Sequence, residues 1–259
     1  MKTLLSLSLA MCCASGFAQL SITENATTYS IDFSSTVSGV NNAAFTGAGF
    51  QSSPSAGQLD ANAWSITGLS DGTLAFDAAG TTGDYARGTS DGGVTTGGMY
   101  GFDVDPGAGV NRALGFQPTA SDMVPGSIRL KLENSTGSLI GKLVISYKVY
   151  VLNNEARSNS VTFQHSRDNS TYYLNSASKV TSTAIATGIW TSTTRTVELI
   201  GLNFPSGGNF YISWLTQDES GTGFRDEFAI DDIEITAYTA FAFQGFEGTG
   251  NWEISSGSG

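Results

Sequence analysis

Apolar and polar residues alternate strictly along several stretches of this chain. Side chains of one face recur at every second position and are mainly apolar in four runs: 128–133, 143–151, 161–165 and 210–214. A period of two with one apolar face is typical of half-buried antiparallel strands, and no segment shows a convincing helical period. Further strands are predicted, between turn-forming clusters of Gly, Asn, Asp and Pro, at 28–33, 63–67, 73–77, 99–104, 112–117 and 194–200. About ten short strands predict an all-β fold, a two-sheet antiparallel β-sandwich of jelly-roll type.

The alternation changes phase within the last predicted strand. Apolar residues of 228–230 occupy one phase and those of 233–235 the other, so a β-bulge is predicted at Asp231 and Asp232. One of these carboxylates would turn partly inward, where an unpaired charge is costly. Its predicted partner is either a bound cation or Arg225 together with backbone N–H groups. The residues expected to form a structural ion-pair group at the start of this strand are Arg225, Asp226 and Glu227.

Residues 47–98 are unusually rich in Gly, Ser, Thr and Ala. This composition predicts long surface loops that carry only a few short strands. Loops carry function more often than cores do, but small and chemically plain side chains favour a structural role here.

The two ends of the chain predict a module of a larger secreted protein. Residues 1–18 combine Lys2, a short apolar run and the small residues Gly16 and Ala18, which is typical of a secretory signal peptide. The sandwich domain is then predicted at 19–239. Residues 240–259 are interpreted as a linker and the truncated start of a second similar domain. No later run of 18 apolar residues predicts a membrane span.

The chain is acidic, with 23 Asp and Glu against 12 Lys and Arg and a net charge of −11. Nucleic-acid binding needs clustered Lys and Arg, so this class of partner is excluded. The surface is compatible with divalent cations and with glycans. Both cysteines lie in the predicted signal peptide, which excludes disulfides and thiolate chemistry from the remainder.

Catalytic motifs are not supported by their surroundings. Gly88–Gly92 matches G-x-S-x-G, but the Gly-rich sequence that follows predicts a loop rather than the helix that a nucleophile elbow needs. His165 is the one histidine, and its phase predicts a packed or sheet-edge residue. The adjacent carboxylate pairs point to opposite faces of a strand and cannot act together on a glycosidic bond. We therefore expect this fragment not to be an enzyme.

Aromatic rings at strand ends or in turns are candidates for a glycan-binding platform, because sugars stack on exposed Trp and Tyr. Packing roles remain the alternative for each of them, and Trp214 is predicted to be buried. The candidate platform residues are Trp64, Tyr172, Tyr173 and Trp190.

Residues 228–233, F-A-I-D-D-I, resemble the closing strand of MAM-type and related carbohydrate-binding jelly rolls. More broadly, 31–235 is similar to an accessory domain of multidomain exported proteins from bacteria with type IX secretion. Four blocks carry this resemblance: D-F-S-S-T-V-S-G-V-N at 32–41, N-R-A-L-G-F-Q at 111–117, R-S-N-S-V-T-F at 157–163 and S-R-D-N-S-T-Y at 166–172. The resemblance implies one structural calcium, whose candidate ligands here are Asp32, Asp231 and Asp232.

The sequence thus predicts a secreted, extracellular or cell-surface module without catalytic activity. Its expected role is to bind a polysaccharide or cell-surface glycan, or to space other domains of the same polypeptide. One alternative is an accessory domain of an extracellular nuclease or peptidase. Another is a structural adhesin repeat.

Overall fold

A computed structural model describes residues 19–183 and 188–240. The predicted signal peptide and nearly all of the predicted second unit lie outside these residues. The described chain is almost entirely strand, with two short 3₁₀ turns at Gly83–Tyr85 and Ser176–Ser178. Within it, no helix is long and apolar enough to cross a membrane. The strands are β1 (Leu20–Ile22), β2 (Thr28–Ile31), β3 (Asn41–Asn42), β4 (Phe50–Gln51), β5 (Gln58–Asp60), β6 (Trp64–Leu69), β7 (Gly72–Leu74), β8 (Thr89–Ser90), β9 (Gly98–Asp103), β10 (Arg112–Gln117), β11 (Gly126–Asn134), β12 (Ile140–Leu152), β13 (Arg157–Ser166), β14 (Tyr173–Leu174), β15 (Val180–Thr181), β16 (Trp190–Phe204), β17 (Asn209–Gly221) and β18 (Glu227–Thr239).

Two large sheets form a sandwich, as the alternation predicts. Sheet A has the order β14-β13-β17-β11-β6-β7, with β1 beside β11 and β15 beside β13. Sheet B has the order β16-β12-β18-β10-β9-β8, with β2 beside β18. From β10 to β13, and again from β16 to β18, each strand lies in the opposite sheet from the one before it. This connectivity makes the sandwich a jelly roll and confirms the predicted fold class.

The core lies between the sheets and is filled by the apolar phase of each strand. Trp214 is fully buried, as predicted, and stacks against Trp64 at a ring-centroid distance of 6.5 Å. Phe163 meets Trp214 edge-on at 6.3 Å, and Tyr147 does so at 5.6 Å. Aromatic rings prefer such tilted and offset contacts, so these side chains fix the spacing of the two sheets at their centre.

Residues 47–98 are less peripheral than their composition predicts. They do contain only short strands, and β4 and β5 join β3 in a small third sheet. However, Phe50, Leu59, Trp64 and Ile66 are fully buried in the main core. The expectation of surface loops is wrong for this part, because isolated large side chains among small residues anchor the segment.

The predicted β-bulge in the last strand is confirmed. Lys148 pairs with Asp231 and Ser146 pairs with Glu234, so Tyr147 alone faces two residues of β18. The extra residue, Asp232, has a positive φ of 48°. The bulge lets both halves of β18 direct apolar side chains into the core.

Candidate functional site

The outer face of sheet A carries a row of polar side chains across four strands. Ser65 on β6 pairs with Arg129 on β11, Arg129 with Ser213 on β17, and Ser213 with Gln164 on β13. Each lies one position away from a core residue, so strand alternation turns it outward. In the next row Lys131 pairs with Tyr211. The face therefore presents two cations and a tyrosine at its centre.

Three aromatic rings lie on this face and define what we call the aromatic row: Phe76, Tyr172 and Tyr211. Phe76 follows β7 and contacts Tyr211 with a ring-centroid distance of 5.5 Å. Tyr172 comes from the turn after β13 and reaches across β17, so that the Arg129 guanidinium carbon lies 4.6 Å from its ring centroid. The Lys131 ammonium lies 5.2 Å from the Phe76 centroid. All three rings are half-buried, so each is held in place yet still reaches solvent.

Hydrogen bonds fix the Tyr172 side of the row. The Tyr172 hydroxyl donates to Oδ1 of Asn169 at 2.6 Å. Burial raises the pKa of Tyr172 to about 12, so the hydroxyl stays protonated at neutral pH. The Asp168 carboxylate accepts the backbone N–H groups of Ser170 and Thr171, and these hydrogen bonds lower its pKa. The turn that carries Tyr172 is thus preorganised.

Two hydroxyls beneath the row have no hydrogen-bond partner. Ser65 and Ser213 are buried, and the Oγ atom of each lacks a partner in the structure. Both are register neighbours of Arg129, which itself uses Nε to donate to Oγ of Ser127 at 3.1 Å. Buried polar groups normally find partners. The two buried hydroxyl groups beneath the aromatic row are therefore exceptions to this rule.

The candidate platform residues do not come together in one place. Tyr172 belongs to the aromatic row. Tyr173 is 57% exposed but stacks on His165 at 5.6 Å, where the short edge strand β14 pairs with β13. His165 stacks in turn on Phe210 at 5.8 Å, and burial lowers its pKa, in keeping with its predicted packed or sheet-edge position.

Trp64 is wrongly predicted as a platform residue. It is fully buried, and its Nε1 donates to the backbone carbonyl of Val40 at 3.1 Å. Trp64 pairs with Leu130, and both side chains belong to the core. The residue lies at the start of a strand, but its phase turns it inward, where no ligand can reach the ring.

Trp190 lies on sheet B, away from the aromatic row. Its ring contacts Phe102 at 5.2 Å, and its Nε1 donates to the carbonyl of Asp91 at 2.8 Å. It lines a cleft of about 460 Å³ with Asp105 and Ile189, among others. The ring is half-buried and remains accessible from this cleft.

Part of the outer face of sheet B, around β9 and β10, is covered by the chain itself. Phe102 is fully buried there, and a Cβ on Gly115 would lie 2.0 Å from its ring. Val94 packs on this second apolar cluster, and its backbone N–H donates to Oε1 of Glu227 at 2.7 Å. Burial raises the pKa of Glu227 to about 7. The rings of the aromatic row on sheet A are thus partly exposed to solvent, whereas Phe102 on sheet B is shielded from it.

Asp231 is the aspartate that the bulge turns inward. It is fully buried, its Oδ1 accepts the N–H of Phe33 at 3.3 Å, and its Oδ2 has no partner. Burial, and to a smaller extent the charges of Asp232 and Asp32, raise its pKa to about 7. Backbone N–H groups are therefore the partner that the structure provides for this carboxylate.

The other two candidate calcium ligands are engaged elsewhere. Asp232 forms an ion pair with Lys148, with 2.8 Å between Oδ2 and Nζ. Asp32 accepts the N–H of Ser34 at 2.7 Å. Among residues 19–183 and 188–240, no group of three or more Asp, Glu, His or Cys side chains is arranged to hold a metal ion. Calcium at Asp32, Asp231 and Asp232 stays a prediction.

The predicted ion-pair group at 225–227 is wrong in its partners. Arg225 pairs with Asp218, at 3.2 Å between Nε and Oδ1, and Arg157 pairs with the same carboxylate. Asp226 and Glu227 are fully buried and accept backbone N–H groups instead. Neighbouring residues in an extended chain point in opposite directions, so Arg225 meets a neighbouring strand rather than Asp226.

Sequence reasoning missed most of the aromatic row and its cations. The signal was present, because the inward phase of Phe210 and Ile212 places Tyr211 outward, and the inward phase of Ile128 and Leu130 does the same for Arg129. Phe76 gave no such signal, since it follows a strand of three residues.

Comparisons with known proteins find solved structures of low similarity to this chain. No protein-family model matches the chain, and no curated protein matches its sequence. The K2 cleaved adhesin domain of Lys-gingipain is 11% identical, with a TM-score of 0.37, covering 82% of this chain and 99% of that domain. The K3 adhesin domain of Lys-gingipain from Porphyromonas gingivalis w83 is 15% identical, with a TM-score of 0.33 and coverages of 51% and 78%. CBM28, a carbohydrate-binding module specific for non-crystalline cellulose, is 8% identical, with a TM-score of 0.34 and coverages of 54% and 80%. The fold assignment rests on the chain's own strand order.

Proposed function

We propose that this protein is a non-catalytic glycan-binding module that binds saccharides on the outer face of sheet A. The observation that carries the proposal is the aromatic row, in which three half-buried rings lie beside Arg129 and Lys131 on one sheet face. Sugar rings stack on aromatic faces through their C–H groups, and their hydroxyls need hydrogen-bond partners. Rings and hydrogen-bonding groups occur together on this face.

The carboxylates around the row support binding rather than catalysis. Asp168 is used to cap its own turn, and Asp77 lies 3.8 Å from the Lys131 ammonium. Glycoside hydrolysis needs one carboxyl that donates a proton and a second that attacks or activates water. The hydrogen bonds of Asp168 lower its pKa, so it is a poor proton donor at neutral pH.

A saccharide-binding screen on the full chain tests the proposal. We expect at least one polysaccharide to bind, and Tyr211→Ala or Tyr172→Ala to weaken that binding by about tenfold or more. Tyr173→Ala is the matched control, because Tyr173 is exposed but lies outside the aromatic row. Binding that survives both row variants and is lost in the control would place the ligand elsewhere and refute the proposal.

Two alternative roles predict a different result in this screen. An accessory domain of an extracellular hydrolase and a structural adhesin repeat have no need of a saccharide on this face. If no saccharide binds, the module acts as a spacer or docking domain for the rest of its polypeptide.

The proposed setting is outside the cell, as in the exported accessory domains that the sequence resembles. The signal-peptide pattern at 1–18 supports this proposal. Sequencing the N-terminus of the exported protein tests it, and the expected first residue is Gln19. An N-terminus that keeps Lys2 would refute it.

Calcium at the bulge is a further part of the proposal. The buried and unpartnered Oδ2 of Asp231 supports it, since Ca²⁺ seeks oxygen ligands, whereas Lys148 already supplies a positive charge to Asp232. If the ion is bound, a chelator lowers the melting temperature of the calcium-loaded protein. An unchanged melting temperature rejects the ion.

A further inference from the structure

We infer that the outer face of sheet A selects saccharides that carry carboxylate groups, such as polymers of uronic acids. This inference rests on the proposed function and adds the ligand's chemical class. It comes from the charge on the aromatic row: Arg129 and Lys131 lie at the centre of one sheet face, on a chain whose net charge is −11.

Arg129 differs from the other described cations in its contacts. Several of the others are paired with carboxylates, among them Arg87, Lys142, Lys148 and Arg157. The terminal nitrogens of Arg129 contact neither a carboxylate nor a backbone carbonyl within the described part of the chain, and its Nε donates to a serine hydroxyl. A guanidinium presents a planar pair of donors that matches a carboxylate in a bidentate contact. Within the described part of the chain that pair lies beside Tyr172 and forms no ion pair with a carboxylate.

The contact with Tyr172 holds the guanidinium in place. Its central carbon lies 4.6 Å from the ring centroid, within the range of a cation–π interaction. Tyr172 is fixed by its own hydroxyl hydrogen bond to Asn169. Arg129 is therefore oriented before a ligand arrives, which lowers the entropic cost of binding.

Lys131 provides a second positive charge one row away. Its side chain is only 11% exposed, and its ion-pair partner, Asp77, is at 3.8 Å and largely exposed. The charge of Lys131 also acts on the buried Asp60. A long contact to an exposed carboxylate is easily exchanged for a ligand carboxylate. Two cations beside the aromatic row suit a polymer that repeats a ring and a carboxylate.

Two small hydroxyl side chains pack beneath the row. Ser65 and Ser213 flank Arg129 in the register, and both are buried, so they do not contact a ligand themselves. Contact with the ligand is made by the rings and by the two cations above them.

The test uses the full chain and compares two ligands that share a backbone and differ at the carboxyl group. Polygalacturonic acid and its fully methyl-esterified form have the same backbone, but the ester has no free carboxylate. We expect the acid to bind at least about tenfold more tightly, and added salt to weaken it more than the ester. Arg129→Gln and Lys131→Gln should each reduce this preference. Lys142→Gln is the matched control, because Lys142 makes a similar contact, 5.2 Å from the Tyr238 ring centroid, on sheet B.

The possible outcomes distinguish failure of the carboxylate preference from failure of glycan binding itself. Equal binding of acid and ester, or of neutral polysaccharides alone, leaves the glycan-binding module intact and overturns the preference for carboxylates. Binding of dextran sulfate without binding of polygalacturonic acid overturns it as well. Absence of binding to every saccharide refutes the proposed function itself. Unchanged melting temperatures of the Gln variants, measured alongside, show that lost binding is not lost folding, and Lys131→Gln decides if Arg129→Gln does not fold.

Discussion

Asp231 makes the stability of this fold depend on pH. Burial raises the pKa of its carboxyl from an ordinary 3.8 to about 7. Between these values the folded protein holds a proton that the unfolded chain has released, so the free energy of unfolding falls as the pH rises from about 4 to about 7. The charged groups that face Asp231 are Asp32, Asp232 and Lys148.

The perturbation is Asp231→Asn. Asparagine keeps an acceptor for the Phe33 N–H and carries no charge at any pH. Raising the pKa of this carboxyl to about 7 corresponds to about 4 kcal/mol of disfavoured ionisation at pH 8. About 1 kcal/mol of this is already present at pH 4.5, and relaxation around the bulge lowers the value, so we expect the variant to gain about 2 to 3 kcal/mol relative to the wild type between pH 4.5 and pH 8.

Urea unfolding measures this difference directly. The free energy of unfolding is determined by tryptophan fluorescence at pH 4.5, 6 and 8, with a chelator present so that no cation stabilises the ionised carboxylate. Glu227 also has a raised pKa, but it is present in both proteins and cancels in the difference. Asp232→Asn is the control and should change the pH profile only slightly, because the Asp232 charge is a smaller cause of the raised pKa of Asp231 than burial is. Its ion pair with Lys148 is partly exposed, and asparagine tolerates its positive φ. Parallel pH profiles for the wild type and Asp231→Asn would refute the reasoning.

Two further predictions concern the core and the buried ion pairs. Trp64→Ala should destabilise the protein by roughly 3 to 5 kcal/mol in urea unfolding, because it opens a cavity beside Trp214, and a neutral result would mean that the ring does not pack there. Asp218→Asn should cost about 2 kcal/mol or more, because Arg225 is 7% exposed and loses its one carboxylate. The pKa of Asp218 is lowered chiefly by the Arg157 hydrogen bond, so the loss should shrink at acid pH as Asp218 of the wild type is protonated. A loss that stays constant down to pH 2 contradicts this expectation.

The sequence predicts the large strands well because their alternation is long. The run 143–151 falls within β12, and 112–117 coincides with β10. The bulge in β18 is also predictable, since one inserted residue is what shifts the phase between two apolar runs of a single strand. The two-residue strands β3, β4 and β8 are too short to show a period, so no local pattern predicts them.

The candidate site is harder to predict than the fold, for reasons visible at single residues. Trp64 is the first residue of β6, and the first three residues of this strand are all buried. Alternation therefore does not show which side chain reaches solvent. Adjacency in sequence favours Asp226 and Glu227 as partners of Arg225, whereas its partner Asp218 lies across a turn. The outward position of Tyr211 follows from alternation alone. That position indicates a binding face only once Phe76 and Tyr172, which come from distant segments, are known to lie on the same face.

Alternation cannot show which outer face of a sandwich is free to bind, because both sheets have one. Distant segments that fold over each face decide which of its side chains reach solvent. On sheet B, Val94 packs beside Phe102, and Glu227 fixes the Val94 backbone although its own ionisation is disfavoured by burial. On sheet A, Tyr172 reaches over the strands as a single half-buried ring, and the Arg129 guanidinium beside it forms no ion pair with a carboxylate of the described residues. These half-exposed rings and the guanidinium among them are the reason for proposing sheet A, rather than the part of sheet B beneath Val94, as the face that meets a ligand.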